Sequence, residues 1–423
     1  MYCYGCSSDD SNVIHGILDK SFNYPIGYVL FNSEADAHDA GVEVAIQQDG
    51  KIVVIGSSSN GNSDDILVMR FLENGRFDST FGTEGFITYN GTGNDKDRGL
   101  GLALTPDDKI VVTGYTYPAS DMKRDVIVLR LNHDGNLDPT FGTGGVVVYG
   151  GSENGTDIGF GVAVQPDERI VVAGEQRIGT SQDALLLRYN HDGTPDATFG
   201  TNGVVTYNGG GNDHDVAYAV FLQNDGKIIA SGSEHNGVNK DALIMRFNHD
   251  GTQDPAFGIN GVFLFNSAAN SDDYANFVTV QPDGKILVVG ATDNGINHDI
   301  LLLRLHSNGT LDETFGSSGV VIYNSPADLY DYAWGIALSS DGKIIISGTS
   351  NDGLNDNVLV LRFNGDGTLD SSFGVNGAVT FYGAGDGNDW GYGVAIQQNG
   401  KIVVTGVAHN GSNDDALVLR LID

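Results

Sequence analysis

A phenylalanine closing a turn related to LDxTFG recurs along the chain, at Phe22, Phe81, Phe141, Phe199, Phe257, Phe315 and Phe373. The steps between them are 59, 60, 58, 58, 58 and 58 residues. A near-constant period of this length marks a chain assembled from one supersecondary unit used repeatedly. One copy holds four short apolar runs: GVVTYN (Gly203–Asn208), VAYAVFLQ (Val216–Gln223), KIIASG (Lys227–Gly232) and ALIMRFN (Ala242–Asn248). Gly, Asn and Asp separate them, which reads as strand–turn–strand. No window carries a helical period with a capping signal. The expected fold is all-β: a seven-bladed β-propeller with four antiparallel strands per blade. It occupies residues 18–423 as repeats of about 58 residues, behind an N-terminal tail of residues 1–17. A single four-stranded blade cannot bury both of its apolar faces, so stability is expected to be shared between neighbours.

Two phases of the repeat fit the rows. Either each blade is one sequence repeat, or the GVVTYN-type strand is the outermost strand of the blade before it. The pair VAIQQDG and KIVVTG is similar to the inner two strands of many propeller repeats, which favours the second phase. Tyr28–Asn32 (YVLFN) then completes the last blade, whose three inner strands end at Ala416–Asp423. The ring is expected to close by the N-terminal strand joining the C-terminal blade.

The formal charge is −33, from 22 basic and 55 acidic residues. Such a surface repels phosphate backbones, so nucleic acid is not an expected partner. No run of eighteen apolar residues exists to form a transmembrane helix. Cys3 and Cys6 are the two cysteines, so no disulfide framework holds the repeats. The GCSSDDS run resembles the region around the lipidated cysteine of bacterial lipoproteins, with Cys6 at the acceptor position, although no basic and apolar leader precedes it. The other reading of this segment is a tail or spacer.

Several positions recur in every copy. An Arg ends the third strand (Arg70, Arg130, Arg188, Arg246, Arg304, Arg362, Arg420), and an Asp follows in the turn (Asp78, Asp138, Asp196, Asp254, Asp312, Asp370), with Asp19 holding that place in the first, partial copy. Bidentate Arg–Asp pairs are expected to pin each turn. A second Asp precedes the innermost strand: Asp39, Asp97, Asp157, Asp215, Asp273, Asp331 and Asp389. A third precedes the third strand, among them Asp65, Asp299 and Asp415. Up-and-down strand order places both series at one end of each blade. Two readings apply: the side chains accept loop N–H groups and fix the turns, or they supply oxygen ligands to a hard cation such as Ca2+. No copy has the ordered spacing of an EF-hand loop. A basic residue opening the second strand (Lys51, Lys109, Arg169, Lys227, Lys285, Lys343, Lys401) lies at the opposite end, giving an electrically polarised blade with an acidic face. The Gly ending the second strand (Gly56, Gly114, Gly174, Gly232, Gly290, Gly348, Gly406) marks a bend or a close backbone approach.

The pattern DGKIVVTG…DDALVLRLNxDGxLDxTFG resembles the delta-60 repeat of bacterial secreted and surface proteins over essentially residues 18–423. The resemblance implies a β-propeller and no particular reaction. The sequence contains no HExxH, P-loop or convincing GxSxG elbow. One active centre needs residues that break the repeat, and the prominent deviants are Trp334, Trp390, Tyr330, Tyr332 and Tyr392, beside the innermost strands of adjacent copies. They are candidate ligand-binding residues at a channel mouth, with packing between blades as the other reading. The expected function is a non-enzymatic binding or scaffold module, extracellular or anchored at a bacterial surface, with a protein or glycan partner. The alternative is a polysaccharide hydrolase or lyase using Asp carboxylates as acid and base.

Overall fold

A computed structural model describes residues 17–118, 123–151, 155–179, 181–211, 214–383 and 385–422; Cys3 and Cys6 lie outside them. These residues form seven four-stranded antiparallel sheets, a seven-bladed β-propeller. Among them no helix is long and apolar enough to cross a membrane. Blades 1 to 6 span residues 39–89, 98–149, 157–207, 216–265, 273–323 and 331–381, and blade 7 joins residues 390–421 to the strand Tyr28–Phe31. The chain divides into two compact units, Met1–Gly99 with Tyr323–Asp423, and Leu100–Ile322. The first contains blades 6, 7 and 1; the second contains blades 2 to 5.

The strand order within each blade follows the second phase read from the sequence. In blade 7 the order is the N-terminal strand, then Asp414–Leu421, Ile402–His409 and Trp390–Ile396. Tyr28 pairs with Leu419 and Phe31 with Ala416. Second and third strands are buried along nearly their whole length, as in Ile52–Ser59 and Asp64–Phe71. Blade 7 packs on one face of these two strands, and strands packed between blades read as continuous apolar runs rather than as alternation. The cores lie between blades. One joins Val54, Leu67, Met69 and Phe71 of blade 1 to Val403, Ala416 and Val418 of blade 7. In the second unit, another joins Ile229, Ala242 and Ile244 of blade 4 to Val288, Leu301 and Leu303 of blade 5. Each such side chain contributes about 1.5–3 kcal/mol of burial.

The recurring Arg–Asp pairs form in all seven copies. In blade 3, Arg188 Nε donates to Asp196 Oδ2 at 2.7 Å and Nη2 to Thr198 Oγ1 at 3.3 Å. Its Nη1 donates to the carbonyl oxygen of His249, in the turn of the next blade. The guanidinium carbon stands 4.4 Å from the centroid of Phe199, and an Arg-over-Phe contact of this kind recurs in every copy. The LDxTFG motif is thus a socket for a buried guanidinium, with Asp and Thr as acceptors and Phe as floor.

The expected bidentate fork does not form in blade 3. Oδ1 of Asp196 is occupied by the Thr198 N–H and hydroxyl, at 2.9 and 2.7 Å, so the guanidinium divides its donors among three partners. Where Ala256 replaces the hydroxyl residue, Arg246 Nη2 instead comes within 2.8 Å of Asp254 Oδ2. The basic residues that open the second strands also reach this carboxylate: Lys109 Nζ lies 3.0 Å from Asp138, Lys227 2.8 Å from Asp254 and Lys401 2.8 Å from Asp19. The basic end of the blade is therefore internally ion-paired.

The last pin joins the two ends of the chain, with Arg420 Nε donating to Asp19 Oδ2 at 2.8 Å. Substituting Asp19→Ala strands a guanidinium that is 3% exposed. The unfolding free energy is expected to fall by about 3–5 kcal/mol, and removal of residues 1–35 to cost more because the outer strand of blade 7 goes with it. Denaturant unfolding of both variants measures this; an unchanged midpoint would show that the joined ends carry no stability.

Candidate functional site

Every innermost strand for which the register is resolved is interrupted at the same place. The pairing with the second strand shifts between Gly41 and Glu43, Gly159 and Gly161, Ala217 and Ala219, Ala275 and Phe277, Ala333 and Gly335, and Gly391 and Val394. Each is a β-bulge, which re-aims the extra residue and is common beside functional sites. The recurring Gly of the second strand lies across from it. A Cβ on Gly56, Gly174, Gly232, Gly290, Gly348 or Gly406 would fall 1.8–2.1 Å from a backbone oxygen of the bulged strand. The close approach expected at these glycines is real, and the bulge is its cause. The residue released from the ladder differs from copy to copy: Val42, Phe160, Tyr218, Asn276, Trp334 and Tyr392.

In the first unit, two bulged residues and their neighbours make a chain of aromatic rings. Tyr332 and Trp334 are stacked, with centroids 5.9 Å apart and planes at 22°. Trp334 meets Tyr392 edge-on at 6.1 Å across the boundary between blades 6 and 7. Tyr330 continues the line at 6.2 Å from Tyr332. Trp334 and Tyr330 are each 40% exposed, so this line presents aromatic surface to solvent. Trp390 is engaged elsewhere, its indole Nε1 donating to Asp356 Oδ2 at 2.9 Å. The structure therefore brings together four of the five aromatic residues singled out from the sequence, Tyr330, Tyr332, Trp334 and Tyr392, and assigns Trp390 to an inter-blade hydrogen bond.

The Asp residues named as metal candidates are placed at one end of each blade, as expected. Asp39 and Asp65 both lie opposite Ser58, on the strands that flank it. Their oxygens hold loops. Ser33 N–H donates to Asp39 at 2.6 Å, Gly91 to Asp97 at 2.5 Å, Gly151 to Asp157 at 2.5 Å, Gly209 to Asp215 at 2.5 Å, Ser267 to Asp273 at 2.6 Å and Ser325 to Asp331 at 2.7 Å. Gly383 N–H does the same for Asp389, whose other oxygen accepts from His409 N–H at 2.8 Å. Side-chain amides of Asn60, Asn294 and Asn410 donate to Asp65, Asp299 and Asp415. Among the described residues no three His, Cys, Asp or Glu side chains are grouped to hold a metal ion. The loop-fixing reading thus accounts for their geometry. Burial raises the carboxyl pKa of Asp39, Asp157 and Asp273, and raises Asp215, Asp389 and Asp415 to about 6. The turn carboxylates behave oppositely. Against a burial effect that acts upward, hydroxyl, backbone and cationic partners hold Asp78 and Asp196 below the usual value of 3.8.

The second unit holds a carboxylate that the sequence reading passed over. Glu175 follows the recurring Gly174, where the other copies carry Ser57, Tyr115, Ser233, Ala291, Thr349 and Val407. Laying the copies against one another at this position would have exposed it. It is buried, accepts from Gln182 Nε2 at 3.1 Å, and is pushed up to about 7, by burial foremost and against the pull of Arg124 and Lys240. Aromatic residues surround the two cations: Arg124 lies 4.7 Å from the Tyr115 centroid and donates to the Tyr117 hydroxyl at 3.0 Å, and Lys240 lies 5.2 Å from the Tyr274 centroid. Phe160 and Tyr218, both bulged, meet edge-on at 5.4 Å.

Seven segments, 47–81, 105–141, 165–199, 223–257, 281–315, 339–373 and 397–421, match the model of a family described as a β-propeller domain of unknown function, DUF5122. Together they make up more than half of the chain. No curated protein matches. Among solved structures, the polysaccharide lyase Uly1 is similar at 11% identity and a TM-score of 0.51, covering 97% of each chain. An α-L-arabinanase of Penicillium chrysogenum is similar at 15% identity and 0.46, over 76% of this chain and 93% of its own. Drosophila Plexin A is similar at 8% and 0.48, over 97% and 88%. At these identities the likeness is one of fold.

The opposed carboxylate shifts set the pH dependence of stability. As pH falls from 7 through 6, Asp215, Asp389 and Asp415 take up protons in the folded chain before their unfolded counterparts do, so folding is stabilised. Below 3.8 the turn carboxylates protonate first in the unfolded chain, and stability is lost. The melting temperature is expected to rise between pH 7.5 and about 4.5 and to fall below about 3.5. Asp389→Asn should flatten the upper limb; a wild-type melting temperature that falls steadily from pH 7.5 downwards would contradict the assignment.

Proposed function

Because the chain belongs to the DUF5122 β-propeller family, whose description names no activity, we propose from its own residues that it is a binding module. The ligand of this reading is a glycan laid against Tyr330, Tyr332 and Trp334, presented at a bacterial surface without chemical turnover. The single observation that carries it is the exposed line of rings on the innermost strand of blade 6. Flat aromatic faces pair with the apolar C–H faces of sugar rings, and a rigid side chain loses little entropy on contact. The bulge supplies the rigidity, because Trp334 projects from backbone locked by the Gly348 approach.

Glu175 favours a second reading, catalysis on a polysaccharide. A carboxyl titrating near neutrality can donate a proton and then recover it, and Glu175 breaks the repeat as a single active centre requires.

The two readings separate experimentally. On a glycan array followed by calorimetry, Trp334→Ala is expected to weaken binding by at least about 5-fold, the effect of ~1 kcal/mol, with an unchanged melting temperature and partial recovery in Trp334→Phe. Binding indifferent to Trp334 would dismiss the platform. Release of reducing ends or unsaturated products from a polysaccharide panel, abolished in Glu175→Gln and retained in Trp334→Ala, would establish the second reading in its place.

A further inference from the structure

We propose that the cavity beside the N-terminal strand of blade 7 is a binding site for a small organic cation with an apolar body. The cavity encloses about 550 Å3 between that strand and blade 1, a size suited to a small molecule. Its apolar wall is Leu30, Phe31, Phe77 and Phe86. Phe31 meets Phe86 at 5.0 Å and 66°, and Phe77 at 6.2 Å and 59°, so the three rings are tilted against one another rather than stacked shut. Ring faces carry negative quadrupolar potential and attract a cation.

The polar lining is of one sign. Glu34, Glu84 and Asp65 contribute carboxyl groups, and no Lys, Arg or His is among the lining residues. Glu34 and Glu84 are exposed, while Asp65 is buried and held by the Asn60 amide at 3.2 Å. Three carboxyl groups over an aromatic wall, in a chain of net charge −33, select a positive ligand over a neutral or anionic one. The apolar wall selects one with a hydrocarbon body over a bare metal ion.

At two boundaries in the second unit, an outer-strand Tyr hydroxyl meets a long polar side chain of the next blade: Tyr149 donates to Gln176 at 3.2 Å and Tyr207 to Glu234 at 2.6 Å. The corresponding residues where blade 7 meets blade 1 are Phe31 and Ser58, which carry neither a ring hydroxyl nor a long polar side chain. None of the aromatic platform residues lines this cavity, so the two sites are separable.

The probe is phenethylammonium, with 2-phenylethanol as its neutral counterpart, titrated calorimetrically into the full chain at low salt. One saturable site is expected for the cation and none for the alcohol. The double variant Glu34→Gln, Glu84→Gln should weaken binding by about 3- to 5-fold. Phe86→Ala should abolish it, and Trp334→Ala should leave it unchanged. The half-exposed Phe86 permits a folding check, and Thr88→Trp, which fills the cavity from its outer wall, gives a second test without removing a ring. Equal binding of the alcohol, indifference to both carboxylate changes, loss in Trp334→Ala, competition by CaCl2 without any cation binding of its own, or no binding at millimolar concentration would each overturn the site.

Discussion

A guanidinium taken out of water is the interaction on which the remaining structure rests. Burying a cation is costly unless its partners are complete, and the LDxTFG turn completes them. Asp takes Nε, a hydroxyl residue takes Nη2, and Phe covers the face. The remaining nitrogen bonds outside its own blade, to a turn carbonyl of the next: Arg130 to His191, Arg188 to His249, Arg246 to Ser307, and Arg420 to Glu73. A blade on its own would leave that donor unsatisfied and its apolar faces wet. The local motif therefore enforces association between neighbours, and a single-blade fragment fails on both counts. Lysine cannot substitute, because an ammonium has neither the planar face nor the fork of donors at fixed angles.

The opposite end of the blade is governed by a different constraint. The second-strand glycine allows the innermost strand to bulge, and the bulge frees one side chain per copy from the demands of the ladder. Chemical individuality then accumulates where the scaffold tolerates it. Val42, Phe160, Tyr218, Asn276, Trp334 and Tyr392 occupy one geometric position with side chains of unrelated character. The pins vary less, since an Arg–Asp ion pair and an Arg-over-Phe contact recur in every copy. The residues that fix the fold are thus not the ones that differ from copy to copy, which is why the fold is so much plainer than any activity.

Much of the fold was legible because it is periodic. A near-constant spacing gave the number of blades, and the position of Tyr28–Asn32 within that period gave the pairing of the two chain ends. The Arg420–Asp19 contact spans most of the chain, yet repetition reveals it as surely as the local pairs. What repetition could not supply was geometry within a motif. The Arg–Asp spacing suggested a fork, and only coordinates show that Thr198 occupies the oxygen the fork would need. Nor could periodicity expose what is singular. Glu175 stands out only when the copies are compared at a position that looked like ordinary strand. The cavity by Phe31 is lined by residues far apart in the sequence, Leu30 to Ala35 with Phe77, Glu84 and Phe86. Trp334 was recognisable as a deviant, but its projection from a bulge was not.

The two ends of each blade also differ in how they hold charge. At the pinned end, carboxylates sit among cations and hydroxyls that lower their pKa, and ionisation stabilises the fold. At the bulged end, Asp39, Asp157, Asp215, Asp273, Asp389 and Asp415 are buried with neutral donors, and their pKa rises. Ionisation there works against the fold at neutral pH. Perturbed groups of this kind gather where a protein meets a ligand. A ligand that brings positive charge or hydrogen-bond donors to that end relieves a destabilisation already present, whereas the pinned end, with its acceptors filled, offers no such gain. The stability stored in the pins offsets what ionisation at the other end costs.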